Sequence, residues 1–116
     1  MSVDALVEEF ARRVAMQNDA ILKGDATTGN KCAKQYVAAF TQLRTFGDEG
    51  RNALAALLTD DRAEVRVMAA AFLLRHCGER ARTVLEAEAE RGGPVGFGAA
   101  QALQRWKEGT WALDPA

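Results

Sequence analysis

The sequence predicts an all-α protein, and its composition gives the first reasons. Of the 116 residues 23 are alanine, while 8 are valine and 1 is isoleucine. Alanine is the best helix former, whereas β-branched residues favour strands. Only two prolines, Pro94 and Pro115, could interrupt a helix. Apolar residues make up 48% of the chain and charged residues 27%, a balance typical of one folded domain spanning residues 1–116.

The first predicted helix shows the helical pattern most clearly. Ser2 is a good N-cap and Asp4 suits the first turn. The apolar residues that follow recur at helical spacing along one stripe, at Val3, Leu6, Val7, Phe10, Val14 and Ile21. Lys23 and Gly24 predict the end of this helix, since a basic residue and a glycine are common there.

Glycines and polar turns separate five further predicted helices. The second is expected over about 30–46, the third over about 48–58, the fourth over about 63–77, the fifth over about 79–91 and the sixth over about 94–107. Pro94 stands at the first position of the sixth helix, where its missing N–H costs little. Gly109 is predicted to end that helix.

An offset of 30 residues aligns the second, fourth and sixth helices. Matched positions are Ala39/Ala69/Ala99, Phe40/Ala70/Ala100, Leu43/Leu73/Leu103 and Phe46/His76/Trp106. Small residues at matched positions let successive helices approach closely, and a leucine one turn later fills the layer between them. The repeat predicts three helical hairpins stacked as an α-α superhelix, or α-solenoid.

Residues 57–70, LLTDDRAEVRVMAA, resemble a HEAT repeat, in which leucines, an acidic turn, Val-Arg and paired alanines follow one another. The long first helix, the Gly29-Asn30-Lys31 start of the second and the segment GFGAA at 96–100 resemble a small bacterial family of domains of unknown function (DUF2019). This resemblance covers nearly the whole chain and implies a HEAT/armadillo-like fold and a bacterial source. It implies no catalytic residues. The third repeat departs from the pattern at Gly96, where the second has Arg66.

Residue types that could carry out chemistry are few and scattered. Cys32, His76 and Cys77 are the only thiols and the only imidazole, and their spacing does not match a zinc site. Ser2 is the only serine, so no Ser-based nucleophile motif exists. The sequence therefore predicts a non-enzymatic protein with no metal and no cofactor. It predicts small apolar roles for both cysteines and a helix-capping role for His76.

The charge balance argues against nucleic acid as a partner. Lysine and arginine number 15 against 16 acidic residues, a formal net charge of −1, whereas nucleic-acid-binding domains usually have a basic excess. Arg66 is expected to pair locally with Asp60-Asp61 and fix that turn. No apolar run is long enough to cross a membrane. The N-terminus lacks a signal-peptide pattern and the cysteines are isolated, so a cytoplasmic location is expected.

A protein-binding patch is the most specific functional prediction. If Val65, Ala69, Ala70 and Leu73 face the core, Met68 and Phe72 point partly away from it. Arg75 follows three residues later, and the 30-residue offset adds polar neighbours on either side, so the predicted partner-binding residues are Met68, Phe72, Arg75, Thr41, Gln101 and Arg105. An apolar pair with such a rim is typical of a partner-binding patch. The competing interpretation is that the first helix or the C-terminal tail covers Phe72.

The leading prediction is a protein–protein interaction module with a concave helical-repeat surface. Its partner is unidentified, and an immunity or antitoxin-type protein is one form suggested by fold-level analogy. One alternative is a small-ligand-binding or enzyme-accessory protein with Cys32, His76 and the tryptophans near a pocket. The second alternative is nucleic-acid binding. Trp106 and Trp111 are predicted to seal the last helical layer.

Overall fold

The computed structural model describes residues 1–115, and within them all regular structure is helical. The α-helices are α1 (Val3–Leu22), α2 (Ala26–Arg44), α3 (Asp48–Leu54), α4 (Ala63–Phe72), α5 (Gly78–Arg91) and α6 (Gly93–Glu108), and a 3₁₀ helix spans Ala55–Thr59. The all-α prediction is confirmed for the described residues. These residues form two compact units, one ending at Leu57 and one beginning at Leu58.

The first unit is built on the pair α1 and α2, with α3 packed against both. Ser2 is the N-cap of α1, as predicted, and its side chain accepts a hydrogen bond from the backbone N–H of Ala5 at 3.1 Å. Rings of Phe10 and Tyr36 meet edge to face at 5.7 Å between centroids. Burial raises the pKa of the Tyr36 hydroxyl, although a hydrogen bond with Gln17 opposes the effect. This core is therefore largely apolar.

The second unit consists of α4, which packs against both α5 and α6, and of the tail that follows α6. Alanine and valine fill most of α4, and its Val65, Ala69 and Ala70 are fully buried, as expected. Gly109 ends α6 in the left-handed conformation, with φ 76°, as predicted. The backbone N–H of Thr110 donates to the Arg105 carbonyl at 2.9 Å, which turns the tail back toward the helix.

Two predicted helix boundaries are wrong, and local hydrogen bonds explain both. The second helix begins at Ala26 rather than near residue 30, because the Asp25 carboxylate accepts from the N–H of Thr28 at 3.1 Å and acts as N-cap. The fourth helix ends at Phe72 rather than near residue 77. The N–H groups of His76 and Cys77 both donate to the Leu73 carbonyl, at 3.1 and 2.9 Å, so the chain turns there.

Candidate partner-binding site

Helix α6 lies very close to α5, because glycine occupies the contact position. A Cβ atom added at Gly96 would come within 2.6 Å of the Glu88 carbonyl oxygen. Real side chains do not approach backbone that closely, so only glycine allows this separation. Gly96 thus fixes where α6 sits and which of its faces points to solvent.

Arg66 of α4 reaches the same residue, Glu88, from another direction. Its guanidinium donates to the Glu88 carboxylate at 2.5 Å and to the carbonyl oxygens of Asp60 and Asp61 at 2.8 and 3.1 Å. Glu88 is only 6% exposed, so its charge depends chiefly on Arg66, which is closer to it than its second partner, Arg91 at 3.4 Å. Arg66 fixes the Asp60-Asp61 turn as expected, but its contacts there are with backbone oxygens and not with the carboxylates. Arg66 holds that turn by its carbonyls, while Asp60 pairs with Arg62 at 2.9 Å.

The solvent face of α6 carries an exposed aromatic residue above polar ones. Phe97 is 65% exposed, and Gln101 and Arg105 follow it four and eight residues later and are exposed as well. Eight residues of helix rise about 12 Å, so the three side chains lie along one face over roughly two turns. Gln101 and Arg105 were predicted at the site. Phe97 was not, although its position four residues before Gln101 and its small neighbours Gly96 and Gly98 were visible in the sequence.

Phe72 corrects the sequence prediction, since its side chain is only 3% exposed. It cannot contribute to an exposed patch while it is buried. Met68, its predicted apolar partner, is half-buried. Helix α4 is surrounded on more sides than its amphipathic pattern indicates, and the tail is one of the segments that pack beside its end.

The tail is attached to the end of α4 by polar contacts. The indole N–H of Trp111 donates to the Ala71 carbonyl at 2.8 Å, and the Trp111 ring meets Trp106 edge to face at 5.2 Å. Arg75 donates to the Asp114 carbonyl and lies 3.3 Å from its carboxylate, which is 1% exposed. Arg75 is exposed, as predicted for the patch, but its guanidinium already contacts Asp114 of the tail.

Thr41, the remaining predicted site residue, lies on α2 in the first unit. It is exposed, and its hydroxyl donates a hydrogen bond to the Val37 carbonyl at 3.0 Å. That bond is the usual way for a threonine inside a helix to satisfy its hydroxyl. Thr41 is thus available to solvent, with its hydroxyl proton already used.

Neither cysteine is placed for reactivity. Cys32 is buried and Cys77 is half-buried, and both are free thiols. Burial raises the pKa of the Cys77 thiol, and the nearby Arg80 guanidinium only partly offsets this, so the thiolate form is disfavoured. His76 is half-buried beside Cys77. Within residues 1–115 no group of three or more His, Cys, Asp or Glu side chains is arranged to hold a metal ion.

A surface cleft of about 370 Å³ opens between the end of the 3₁₀ helix and the first two turns of α5. Its lining residues are Leu58, Thr59, Glu79, Arg80, Thr83 and Val84. Cys32, His76 and the tryptophans do not line it, although the small-ligand alternative had placed them near a pocket. The cleft combines apolar, hydroxyl and charged groups within one unit.

Comparison with known proteins gives one informative likeness. No family model matches the chain, and no curated protein matches it. The chain is similar to the protein RPA1889 from Rhodopseudomonas palustris CGA009, whose crystal structure is known, with 26% sequence identity and a TM-score of 0.89. The match covers 97% of this chain and 93% of that one. The protein is thus an all-α protein that shares its fold with a bacterial protein of similar length. None of the helices among the described residues is both long and apolar enough to cross a membrane.

Proposed function

We propose that the protein is a cytoplasmic, HEAT-like helical-repeat module that binds a protein partner and catalyses no reaction. The observation that carries the proposal is the exposure of Phe97 on α6, at 65%. The 30-residue offset between Ala39, Ala69 and Ala99 supports the repeat architecture, since all three are buried. The free thiols of Cys32 and Cys77 support a reducing compartment.

Phe97 has the chemistry of an interface anchor. Burying an exposed phenylalanine side chain contributes about 1.5–3 kcal/mol, and aromatic residues are enriched in interface centres. The next residue, Gly98, has no side chain, and a Cβ added there would meet nothing within 4 Å, so a partner could approach the ring closely. Gln101 and Arg105 supply the polar rim along the same face.

The surface around Phe97 is held in place before any partner arrives. Gly96 sets α6 against Glu88, and Trp111 joins the end of the helix to Ala71. A surface that is already ordered loses little conformational entropy on binding, which favours affinity. Met68, which is half-buried, and Arg75, which is exposed, belong to the same unit and remain candidate contact residues. Phe72 does not, because its side chain is buried.

The test compares two matched phenylalanines. Phe97→Ala and Phe46→Ala both remove an exposed ring, since Phe46 is 42% exposed in the first unit. Tagged proteins are used to capture partners from the native lysate, with quantitative mass spectrometry as readout. The proposal expects a partner that wild type and Phe46→Ala retain and that Phe97→Ala loses by at least about tenfold. Equal capture by all three proteins would contradict it.

The immunity-protein form of the proposal adds a second requirement. The captured partner would then be a toxin, and purified wild-type protein would inhibit its activity at a one-to-one ratio. Phe97→Ala would fail to inhibit, whereas Phe46→Ala would inhibit fully. A partner that is active as a toxin but unaffected by the protein would exclude this form and leave the general interaction proposal standing.

A further inference from the structure

The cleft between the 3₁₀ helix and α5 has the size and chemistry of a small-molecule site. Its volume of about 370 Å³ falls within the range of about 300–1,000 Å³ typical of ligand pockets. Leu58, which is buried, and Val84, which is half-buried, supply an apolar wall. This wall would cover a small apolar side chain but has no polar group to orient it.

Two opposite charges line the same cleft, one at Glu79 and one at Arg80. Both side chains are exposed, and neither forms an ion pair within residues 1–115. Thr83 also lines the cleft, and its hydroxyl proton is donated to the Glu79 carbonyl at 2.9 Å. The Thr83 oxygen can therefore only accept a hydrogen bond, which suits a ligand that carries donors.

The charge pattern selects among ligand classes. A monoanion would pair with Arg80 but would be repelled by Glu79. A monocation would pair with Glu79 but would be repelled by Arg80. An uncharged apolar molecule would remove water from both charges and return nothing. A ligand with one positive and one negative group satisfies both side chains at once.

We propose that this cleft binds a free α-amino acid with an apolar side chain. Its carboxylate pairs with Arg80, its ammonium pairs with Glu79 and donates to the Thr83 oxygen, and its side chain covers Leu58 and Val84. The binding is weak, with a dissociation constant on the order of 1 mM, because exposed ion pairs each contribute little. This inference concerns a different surface from Phe97 and does not depend on the proposed protein partner.

Four probes test the three recognition elements separately, by nitrogen-edited NMR titration of the full chain at pH 6.5. Leucine carries all three groups, glycine lacks the apolar side chain, N-acetyl-leucine lacks the ammonium and leucinamide lacks the carboxylate. At this pH the α-amino groups of leucine, glycine and leucinamide are protonated, since even the less basic α-amino group of a peptide has a pKa of about 7.7–8.0. Leucine should shift the amide signals of residues 58, 59, 79, 80, 83 and 84, and each other probe should bind at least about threefold more weakly.

Matched variants on the same helix separate the cleft from general surface charge. Glu79→Gln and Arg80→Gln should each weaken leucine binding by about three- to tenfold. Glu86→Gln and Arg82→Gln change the same residue types at exposed α5 positions outside the cleft, and they should leave binding unchanged. The proposal is overturned if leucine causes no saturable shifts, if N-acetyl-leucine or leucinamide binds as well as leucine, or if the control variants weaken binding equally.

Discussion

The two units of the molecule are stabilised by different kinds of contact. In the first, two long helices pair through side chains such as Phe10 and Tyr36, and Glu9 forms ion pairs with Arg12 and Arg13 of its own helix. In the second, polar contacts join separate elements. Arg66 of α4 pairs with Glu88 of α5, and Trp111 of the tail donates to the carbonyl of Ala71.

The difference follows from helix length. A 20-residue helix such as α1 presents a continuous apolar stripe, and burying that stripe is enough to hold a partner helix. Helix α4 has 10 residues and is rich in alanine, which buries little area per residue. Polar contacts between separate elements make up the difference in the second unit, so breaking such a contact there should cost more than breaking an ion pair within one helix of the first.

The largest expected effect is at Arg66. Arg66→Met leaves the buried carboxylate of Glu88 without its closest partner, so the free energy of unfolding should fall by about 2–4 kcal/mol, as for other broken buried ion pairs. Chemical denaturation measures it. Arg13→Met in the first unit breaks an ion pair of the same length, 2.5 Å, within one helix. It should cost less than about 1 kcal/mol, because partly exposed pairs are worth little.

A double variant checks the cause. Arg66→Met combined with Glu88→Leu removes the unpaired charge, so part of the lost stability should return. The contrast between the two units is wrong if Arg66→Met and Arg13→Met lower the free energy of unfolding equally. It is also wrong if the double variant loses as much free energy of unfolding as the two single variants together.

The next effect concerns the approach of α6 to α5. Gly96→Ala would place Cβ 2.6 Å from the Glu88 carbonyl oxygen, so the helices must move apart, at a cost of about 1–3 kcal/mol. Gly98→Ala is the matched control in the same helix, where an added Cβ meets nothing within 4 Å. It should stabilise by about 0.5–1 kcal/mol through helix propensity alone. Thermal unfolding of both variants gives the comparison, and a neutral Gly96→Ala would refute close packing there.

A smaller effect is expected in the tail. Trp111→Phe keeps an aromatic ring but removes the N–H that donates to the Ala71 carbonyl, which should cost about 1 kcal/mol. Trp106→Phe keeps the edge-to-face ring contact and removes no hydrogen bond to Ala71, so at this partly exposed position it should cost less than about 0.5 kcal/mol. Similar losses for the two variants would mean that the hydrogen bond of Trp111 contributes nothing particular to the second unit.

The smallest effect depends on pH and tests the turn before α4. The Arg62 side chain, bonded to the Asp60 carboxylate, holds the pKa of Asp60 below its ordinary value of 3.8. A carboxyl with a lowered pKa stabilises the fold above that ordinary value, and the contribution is lost as the pH falls through the folded-state pKa. Asp60→Asn should therefore cost less than about 1 kcal/mol at pH 7, with the difference shrinking in acid. The measurement is denaturation from pH 7 to pH 2.5, and in an Arg62→Gln background the difference should be smaller throughout.

Local signals in the sequence were sufficient for most of the fold. Ser2, Gly24 and Gly109 mark helix ends in a way that depends only on near neighbours, and α1 and α6 were located accordingly. The end of α4 was missed because Leu73 and Leu74 continue the apolar helical pattern past Phe72, while the turn is fixed by the Leu73 carbonyl. Periodicity cannot detect that change.

The candidate site was harder to predict, because exposure depends on contacts distant in the sequence. Phe72 and Phe97 both looked like apolar residues on an alanine-rich helix. Phe72 is buried. It lies beside Ala71, whose carbonyl accepts a hydrogen bond from Trp111, 40 positions further along the chain. Phe97 follows Gly96, whose lack of a side chain brings α6 onto α5 and leaves the Phe97 ring facing solvent. Gln101 and Arg105 were predicted correctly because the polar face of a helix stays exposed, whichever neighbour its apolar face packs against.

Positions 66 and 96, which the 30-residue offset makes equivalent, both meet Glu88. The Arg66 guanidinium contacts the Glu88 carboxylate, whereas Gly96 has no side chain and so leaves room for the Glu88 backbone. The two segments that this offset aligns are consequently not interchangeable. A consensus design that made them identical would place arginine at position 96, against backbone with no space for it, or glycine at position 66, leaving the buried carboxylate with only the more distant Arg91. Any engineered transfer of this part of the chain should therefore carry α4, α5 and α6 together, because Glu88 of α5 contacts both of the other helices.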